Sequence, residues 1–420
     1  MKKILFLGMF VPVVVLGQTD TLSLSQCVQI ALSHNPQIRL AEGGLDLSYS
    51  NLKLSRSALL PQISASAGIT RNGGTFLLGN IVRNGEYDNY ATGVQAQQLV
   101  FDFGKTTSKL SASGSLVDAS MQDLKSTKED VILNTYIAYY NYLAAERVRV
   151  VDLETVAQAM EHLNQAQAFY KAGTVPQYDV VDAEVSVAND SVNLITAENG
   201  LKIARVQLEN AVGMPLPNNF ELSDILEVTY VKIGIQEALD TAMANRPELL
   251  ASEAQVEAGR SLLTSAWTSN LPNVLATGAY NWRGLTVNPL YSGWNIGVTV
   301  SLPIFQGFAL DAGIDQAKAN LKSAQASNDL VMQSMILDVE QQEYALQEAG
   351  QKILAARKLV QQAEEALRLA VARYNSGTGS AIETTDAEVT LANARITYIQ
   401  SLYDYSVSYA RLQRAMGVIK

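Results

Sequence analysis

Apolar and polar residues alternate along two segments of the chain, at residues 61–103 and 272–303. In the first, Ile63, Ala65, Ala67 and Ile69 alternate with serine, glycine and threonine; in the second, the apolar positions are Trp294, Ile296, Val298, Val300 and Leu302. A period of two predicts strands with one apolar face, and strands of about 9–11 residues with this pattern are typical of membrane barrels. Each segment is therefore predicted to form a β-hairpin.

The remaining long segments favour helices. Residues 62–175 and 304–420 contain no proline, and a proline inside a helix costs about 3 kcal/mol. Within the second window, an apolar stripe at helical spacing is formed by Leu354, Leu359, Ala363, Ala366, Leu367 and Ala370. Long helices are predicted at 105–171, from Pro176 to Gly213, at 308–374 and at 381–415. One helix is also predicted over each of the ranges 23–58 and 235–269, although Asn35-Pro36 and Arg246-Pro247 each close a short helical stretch within them.

The two halves of the chain repeat one another. At one constant offset, Asn35-Pro36 corresponds to Arg246-Pro247 and Leu60-Pro61 corresponds to Leu271-Pro272; glycines and an Asp-Ala-Glu-Val motif continue the correspondence. The offset falls by about eight residues before Gly104. Insertions are tolerated at exposed loops and not within packed helices, and glycines occupy positions 73, 74, 79 and 85. We therefore interpret the extra residues as a variable hairpin loop.

The signal segment and the repeat together divide the chain into four parts. Residues 1–17 are interpreted as a secretory signal peptide, because Lys2 and Lys3 precede an apolar run that is too short to span a bilayer. The first structural repeat is predicted at 18–213, an equatorial linker at 214–233 and the second structural repeat at 234–420. Two hairpins provide only four strands, and the smallest membrane barrels have about eight. The chain is therefore expected to form oligomers.

Aromatic residues cluster around the second hairpin. All three tryptophans and two tyrosines lie in or beside it: Trp267, Trp282, Trp294, Tyr280 and Tyr291. Such a group predicts an aromatic girdle at the interface between outer-membrane lipid and water. The alternative is a soluble β-sandwich with aromatic residues in its core.

Composition excludes several classes of function. With 41 acidic and 31 basic residues the net charge is −10, and an acidic chain without a basic stripe argues against nucleic acid as a partner. His34 and His162 are the only histidines and do not lie in a metal-ligand spacing; the sequence has no nucleophile elbow or phosphate loop. We expect no enzyme activity, no cofactor and no metal site. The single cysteine, Cys27, follows Gln26, which disfavours a lipid anchor.

Two predicted turns carry the candidate functional residues. Gly173-Thr174 and Gly377-Thr378 lie where a long helix reverses, and glycine relieves the backbone where a left-handed residue is needed. Acidic pairs spaced by three residues follow on one helix face; they are Asp179 and Asp182 in the first copy and Glu383 and Asp386 in the second. Rings of carboxylates favour cations and hinder anions. The alternatives are plain turn chemistry and first-turn acids stabilised by the helix dipole.

Several motifs together resemble one known family. They include the opening helix from Leu22 to Pro36. They also include two strand starts, Leu59-Leu-Pro-Gln and Asn270-Leu-Pro-Asn, and two strand exits, Phe101-Asp-Phe-Gly and Leu302-Pro-Ile-Phe-Gln-Gly. The most specific are the turn motifs Phe169-Tyr-Lys-Ala-Gly-Thr and Arg373-Tyr-Asn-Ser-Gly-Thr, each followed by Asp-Ala-Glu-Val. Over essentially the full mature length, the chain resembles the TolC-like outer-membrane efflux proteins.

The resemblance implies a mainly α fold with a small β part: duplicated long antiparallel helical hairpins plus two β-hairpins. It implies a homotrimer, with an α-barrel in the periplasm capped by a 12-stranded β-barrel in the outer membrane. The partners implied are a periplasmic adaptor and an inner-membrane pump of a tripartite exporter. By the resemblance, the tips with Gly173, Thr174, Arg373, Gly377 and Thr378 dock the adaptor, and the four carboxylates form a periplasmic gate. The first tip departs from the pattern, because it lacks an arginine and contains Pro176. The alternatives are a structural periplasmic coiled-coil scaffold and a secreted hydrolase.

Overall fold

The computed structural model describes residues 21–78, 81–217, 219–226 and 230–420; the signal peptide predicted at 1–17 lies outside these residues. The first half contains β1 (Thr21–Leu22), α1 (Leu24–His34), α2 (Pro36–Ser57), β2 (Gln62–Leu78), β3 (Ile81–Phe101), α3 (Lys105–Lys171) and α4 (Gln177–Val212). The second half contains β4 (Glu221–Leu222), α5 (Ile235–Asn245), α6 (Pro247–Thr268), β5 (Asn273–Gly284), β6 (Tyr291–Ser301), α7 (Ala309–Asn375) and α8 (Ala381–Ala415).

The predicted fold class is confirmed: the chain is mainly helical, with two long helical hairpins and two β-hairpins. The two longest helices, α3 and α7, have 67 residues each, and the helices that return from them, α4 and α8, have 36 and 35. Equal lengths in the two halves follow from the internal repeat. Among the described helices, none is both long and apolar enough to cross a bilayer.

The prediction of continuous helices at 23–58 and 235–269 is wrong. Each is divided in two at the residue before a proline, at Asn35 and at Arg246. Both residues have extended backbones, with φ −64° and ψ 126° at Asn35 and φ −67° and ψ 116° at Arg246. The proline ring clashes with a helical conformation of the residue before it, so one helix ends and a new one begins.

The prediction of a variable loop in the first hairpin is also wrong. The strands β2 and β3 have 17 and 21 residues, whereas β5 and β6 have 12 and 11. The extra residues extend the antiparallel pairing, so that Gly73 pairs with Glu86 and Gly74 with Gly85. Each strand satisfies the backbone hydrogen-bonding groups of the other, and this allows a glycine-containing segment to remain extended.

All four long strands form one antiparallel sheet in the order β2-β3-β5-β6. Together with neighbouring helical segments it forms a compact unit of residues Arg39–Thr127 and Ala242–Leu337, which we call the sheet unit. Its helical segments lie in a row linked by serine hydrogen bonds. Ser48 on α2 bonds to Ser120 on α3 (2.6 Å), Ser265 on α6 donates to the backbone oxygen of Lys105 (3.1 Å), and Ser252 on α6 donates to Asn328 on α7 (2.6 Å). The helix order is therefore α2-α3-α6-α7.

The second compact unit contains the described residues up to Ile38, Lys128–Thr241 and Asp338–Lys420, and we call it the tip unit. A buried ion pair joins the end of α8 to α3, with Nη1 of Arg414 3.2 Å from Oε2 of Glu129. The hydroxyl of Tyr139 donates to the backbone oxygens of Leu22 (3.2 Å) and Ser223 (2.7 Å), beside the two-stranded β1–β4 pair. These buried polar contacts attach the irregular segment after α4 to the helices.

Candidate functional site

The two helix tips have the same hydrogen-bonded geometry. At the end of α3 the Gly173 amide donates to the Tyr170 oxygen (2.9 Å) and the Thr174 amide to the Phe169 oxygen (3.0 Å). The corresponding bonds at the end of α7 run from Gly377 to Tyr374 (3.0 Å) and from Thr378 to Arg373 (2.9 Å). This is the Schellman pattern, and it requires a left-handed residue; φ is +74° at Gly173 and +70° at Gly377.

Both tip threonines also cap their helices. The Thr174 hydroxyl donates to the Phe169 oxygen at 2.9 Å, and the Thr378 hydroxyl donates to the Arg373 oxygen at 3.3 Å. Gly379, which the sequence analysis missed, lies against the same arginine: a Cβ at this position would approach the Arg373 Cβ to 2.9 Å. The Gly-Thr pairs therefore have a structural role of their own, whatever partner they meet.

The second acidic pair faces solvent. Glu383 and Asp386 are exposed near the start of α8, where the Ser380 hydroxyl accepts from the Glu383 amide (3.3 Å) and caps the helix. Nε of Arg373 lies 3.6 Å from Oε2 of Glu383. The structure thus brings a predicted docking residue and a predicted gate residue into one exposed ion pair.

The first acidic pair is half-buried and faces the second helical hairpin. Asp182 on α4 accepts from the Thr385 hydroxyl on α8 at 3.5 Å. Asp182 and Asp179 also act on His162 of α3: burial lowers the pKa of this imidazole, and the two carboxylates oppose that effect. The His162 ring packs edge-to-face on Tyr374 of α7, with 5.3 Å between ring centroids. The two acidic pairs therefore have different surroundings.

A further group of carboxylates lies deeper in the tip unit. Asp152 on α3 and Asp190 on α4 are buried, and both line a cavity of about 280 Å³ together with residues of α8. Glu388 on α8 is half-buried and lies close enough to Asp190 to interact electrostatically. No local motif in the sequence marks this group, because its members come from three separate helices.

The four-stranded sheet has one apolar and one polar face. Register places Ile63, Ala65, Val94, Tyr280 and Trp294 on one face, because residues paired across antiparallel strands point the same way. On β6, Ile296, Val298 and Val300 continue this face and are exposed. The other face carries serine, threonine, glutamine and asparagine. We call the first the apolar face and the second the polar face.

The predicted aromatic girdle is divided by the structure. Tyr280, Trp282 and Trp294 lie together on the apolar face, with 4.7 Å between the Tyr280 and Trp282 ring centroids. Tyr291 pairs with Arg283 and lies on the polar face, because it is an odd number of residues from Trp294 along β6. Trp267 lies on α6, where the Lys318 ammonium is 5.3 Å from its ring centroid. Tyr291 is therefore removed from the predicted girdle.

In the part of the chain that the structure describes, no three or more histidine, cysteine, aspartate or glutamate side chains are grouped so that they could hold a metal ion.

The sequence and fold are similar to those of known channels. The sequence profile of the family described as "Outer membrane efflux protein" matches residues 27–214 and 238–418. The chain is 25% identical over 419 residues to the outer membrane protein TolC of Escherichia coli (strain K12), covering 94% of this chain and 82% of that protein. It is 24% identical over 439 residues to TolC of Vibrio cholerae, covering 100% of this chain and 96% of that protein.

A solved structure shares the fold. The open state of the MtrE outer membrane channel of Neisseria gonorrhoeae matches with a TM-score of 0.82 and 22% identity, covering 94% of this chain and 89% of that chain. Proteins of this family are channels and not enzymes, which confirms the expectation for this chain. Since the family profile spans most of both halves, the chain belongs to the outer membrane efflux protein family and is a channel protein of the outer membrane with a long helical portion in the periplasm.

Proposed function

We propose that the protein is the exit duct of a tripartite efflux or type I secretion system. In this proposal it is a passive conduit that docks with a periplasmic adaptor protein and an inner-membrane pump. The observation that carries the proposal is the four-stranded sheet, which has an apolar face, a polar face and two edge strands, β2 and β6. Such a sheet suits a wall between lipid and a water-filled pore.

A homotrimer is supported by the edges of this sheet. Backbone groups at an open edge would be unsatisfied in lipid, and four strands are fewer than the about eight of the smallest membrane barrels. Pairing of β6 with β2 of the next copy would remove both edges. Three copies would then form a twelve-stranded barrel, as the family resemblance implies.

The helices of the sheet unit support the same assembly. α2 and α7 are the outer members of the row α2-α3-α6-α7, just as β2 and β6 are the outer strands. Each carries exposed leucines spaced by seven residues: Leu40, Leu47 and Leu54 on α2, and Leu330 and Leu337 on α7. Apolar residues at this spacing form the seam between packed helices. We therefore expect α2 of one copy to pack on α7 of the next.

Gating and docking are assigned to the helix tips. The exposed pair Glu383 and Asp386 would form the acidic ring of the closed aperture, with Asp179 and Asp182 contributing from the adjacent helix α4. The exposed ends of the helices, at Gly173-Thr174 and at Arg373 to Thr378, would meet the adaptor. The ion pair of Arg373 with Glu383 supports a link between docking and gating, because a partner that engages Arg373 releases the Glu383 charge.

Two measurements test this function. Purified protein in planar bilayers should conduct ions, and affinity purification from outer-membrane extracts should recover an adaptor and an inner-membrane pump. A structural scaffold without channel activity would give no conductance, although it would still purify from the envelope. Conductance without a pump or an adaptor would reject the tripartite assignment while leaving the channel intact.

A further inference from the structure

The two helical hairpins meet along a seam within the tip unit, and polar groups lie along it. Arg395 on α8 makes ion pairs with Glu154 on α3 (3.2 Å) and Glu364 on α7 (3.5 Å). Thr385 on α8 donates to Asp182 on α4 at 3.5 Å. Any movement that separates α7–α8 from α3–α4 must break or rearrange these contacts.

One part of the seam holds three acids that have no basic partner among the described residues. Asp152 and Asp190 are 7% and 8% exposed, and Glu388 comes close to Asp190 from α8. Within the described residues, neither a lysine nor an arginine forms an ion pair with any of the three; Asp190 meets only the Ser186 hydroxyl, at 3.5 Å. Buried carboxylates are normally paired or protonated, because an isolated buried charge is costly.

A cavity gives protons access to two of these acids, Asp152 and Asp190. Asp152 and Asp190 line the space of about 280 Å³ between α3, α4 and α8, which is not closed to solvent. Its other polar lining residues are Thr155, Asn193, Thr196 and Asn393. One turn before Glu388, the Thr384 hydroxyl is buried and has no hydrogen-bond partner among the described residues. The space between the helices thus has polar groups beside apolar residues such as Val148 and Ile396, and it is reachable by water.

Burial and mutual repulsion determine how these groups titrate. Burial, and secondarily the charge of Asp190, raises the pKa of Glu388 to about 7. Burial raises the pKa of Asp152, and the charge of Asp190 contributes a smaller rise. Burial also raises the pKa of Asp190, and the hydrogen bond from Ser186 opposes this rise. An acid with a raised pKa binds its proton more tightly in the packed state. The packed state is therefore favoured at low pH and loses stability as the pH rises through about 7.

We propose that Asp152, Asp190 and Glu388 form a proton-operated latch that holds α8 against α3 and α4 when protonated and releases it when ionised. Because α4 and α8 also carry the four gate carboxylates, the latch would regulate the aperture, and this consequence rests on the proposed function. Glu388 follows Asp386 by two residues, so the two side chains point to roughly opposite sides of α8. One side would face the aperture and the other the latch.

His162 is another buried titratable group of this seam, and its effect on the stability of the packed state has the opposite sign to that of the three acids. Its pKa is lowered by burial, so acidification disfavours the packed state at this position. Substitution of Glu388 separates the two effects, because it leaves His162 with its neighbours Asp179 and Asp182 unchanged.

The distance between α4 and α8 tests the latch without using conductance. Spin labels at Val185→Cys and Ile382→Cys report this distance, because both positions are exposed and the native Cys27 is fully buried. Co-expression with excess unlabelled chain gives oligomers with one labelled copy. We expect the distance distribution to lengthen between pH 5 and pH 8. Glu388→Gln should hold the short distance at both values, and Asp190→Asn should move the midpoint to lower pH, because it removes the neighbouring charge.

The exposed acid Glu184 on α4 provides the matched control, and Glu184→Gln should respond to pH like the parent protein. A distance that does not change between pH 5 and pH 8 would overturn the latch, and so would a full response in Glu388→Gln. A pH-dependent distance in a protein that conducts no ions would instead leave the latch standing and reject the channel function.

Discussion

Glycine with a positive φ follows each of the four long helices, at Gly173, Gly213, Gly377 and Gly417. The surroundings of these residues differ. A Cβ at Gly173 would meet no atom within 4 Å, whereas at Gly213 it would lie 2.9 Å from the Cα of Asn35. The Asn35 side chain in turn donates to the Ala211 oxygen at 3.1 Å. Gly173 therefore only ends a helix, whereas Gly213 also allows two backbones to pack closely.

This difference predicts unequal effects of alanine. Gly173→Ala should lower stability by about 1 kcal/mol, the cost of a left-handed alanine. Gly213→Ala should cost about 2–4 kcal/mol, because the Asn35 backbone must also move. Thermal unfolding of the purified oligomers measures both changes, with Gly173→Ala as the control for backbone strain alone. Equal losses in the two variants would contradict the close packing at Asn35.

The proposed gate role of Glu383 and Asp386 is tested by removing their charge. Glu383→Ala combined with Asp386→Ala should raise single-channel conductance and weaken block by multivalent cations, because both side chains would line the closed aperture. Glu198→Ala, an exposed acid on α4 farther from the tip, is the control and should leave both properties unchanged. Unchanged conductance and block in the double variant would reject these residues as gate residues.

At the scale of elements, strand parity determines which residues lie on the apolar face of the sheet and which lie on the polar face. Val298 and Thr299 are neighbours on β6 and are both exposed, but they lie on the apolar and the polar face, respectively. The helices depend instead on long-range contacts such as the buried pair of Arg414 and Glu129. The effect of a substitution in the sheet therefore depends on which face carries the residue. The effect of a substitution in a helix depends on the distant residue that it contacts.

Adjacent lysines on β6 should have opposite outcomes. Val298→Lys places a charge on the apolar face, which in our proposal meets lipid, and such a charge costs about 2–4 kcal/mol near the bilayer midplane. Thr299→Lys points to the proposed pore and should be tolerated. The amount of folded protein in outer-membrane fractions gives the comparison. Loss of folded protein with Thr299→Lys and not with Val298→Lys would reverse the assignment of the two faces.

At the scale of the whole molecule, one chain leaves two edges of its sheet unit uncovered. Its sheet ends at β2 and β6, and its helical row ends at α2 and α7, where leucine stripes are exposed. These features belong to the same two edges of the sheet unit. The assembly we propose covers all of them with a single repeated contact, as expected for a closed ring of identical subunits.

Disruption of this contact should release subunits. Leu47→Asp places a carboxylate in the middle of the α2 stripe, and we expect loss of the heat-modifiable trimer band on gels of outer-membrane extracts. Lys53→Asp makes a larger change of charge about a third of a turn from the stripe and should leave the trimer intact. A stable trimer with Leu47→Asp would show that α2 does not form the seam.

The elements of this fold could be predicted from local patterns in the sequence. The period of two indicated the strands. The proline-free windows and the repeated glycines predicted the bounds of the long helices to within about one residue. The repeat predicted that both halves have the same construction. These features are local because hydrogen bonding within a helix and alternation along a strand are local.

Other features depended on contacts between distant segments. Pairing with β3 made an extended strand of residues interpreted as a loop, and register placed Tyr291 on the polar face. Packing brought Asp152, Asp190 and Glu388 together from three helices and joined Arg373 to Glu383. The sequence by itself therefore determined the long helices, the presence of both hairpins, the repeat and the candidate tips. Only the tertiary structure decided which charges meet and which are buried, because desolvation and pairing depend on neighbours far apart in the chain.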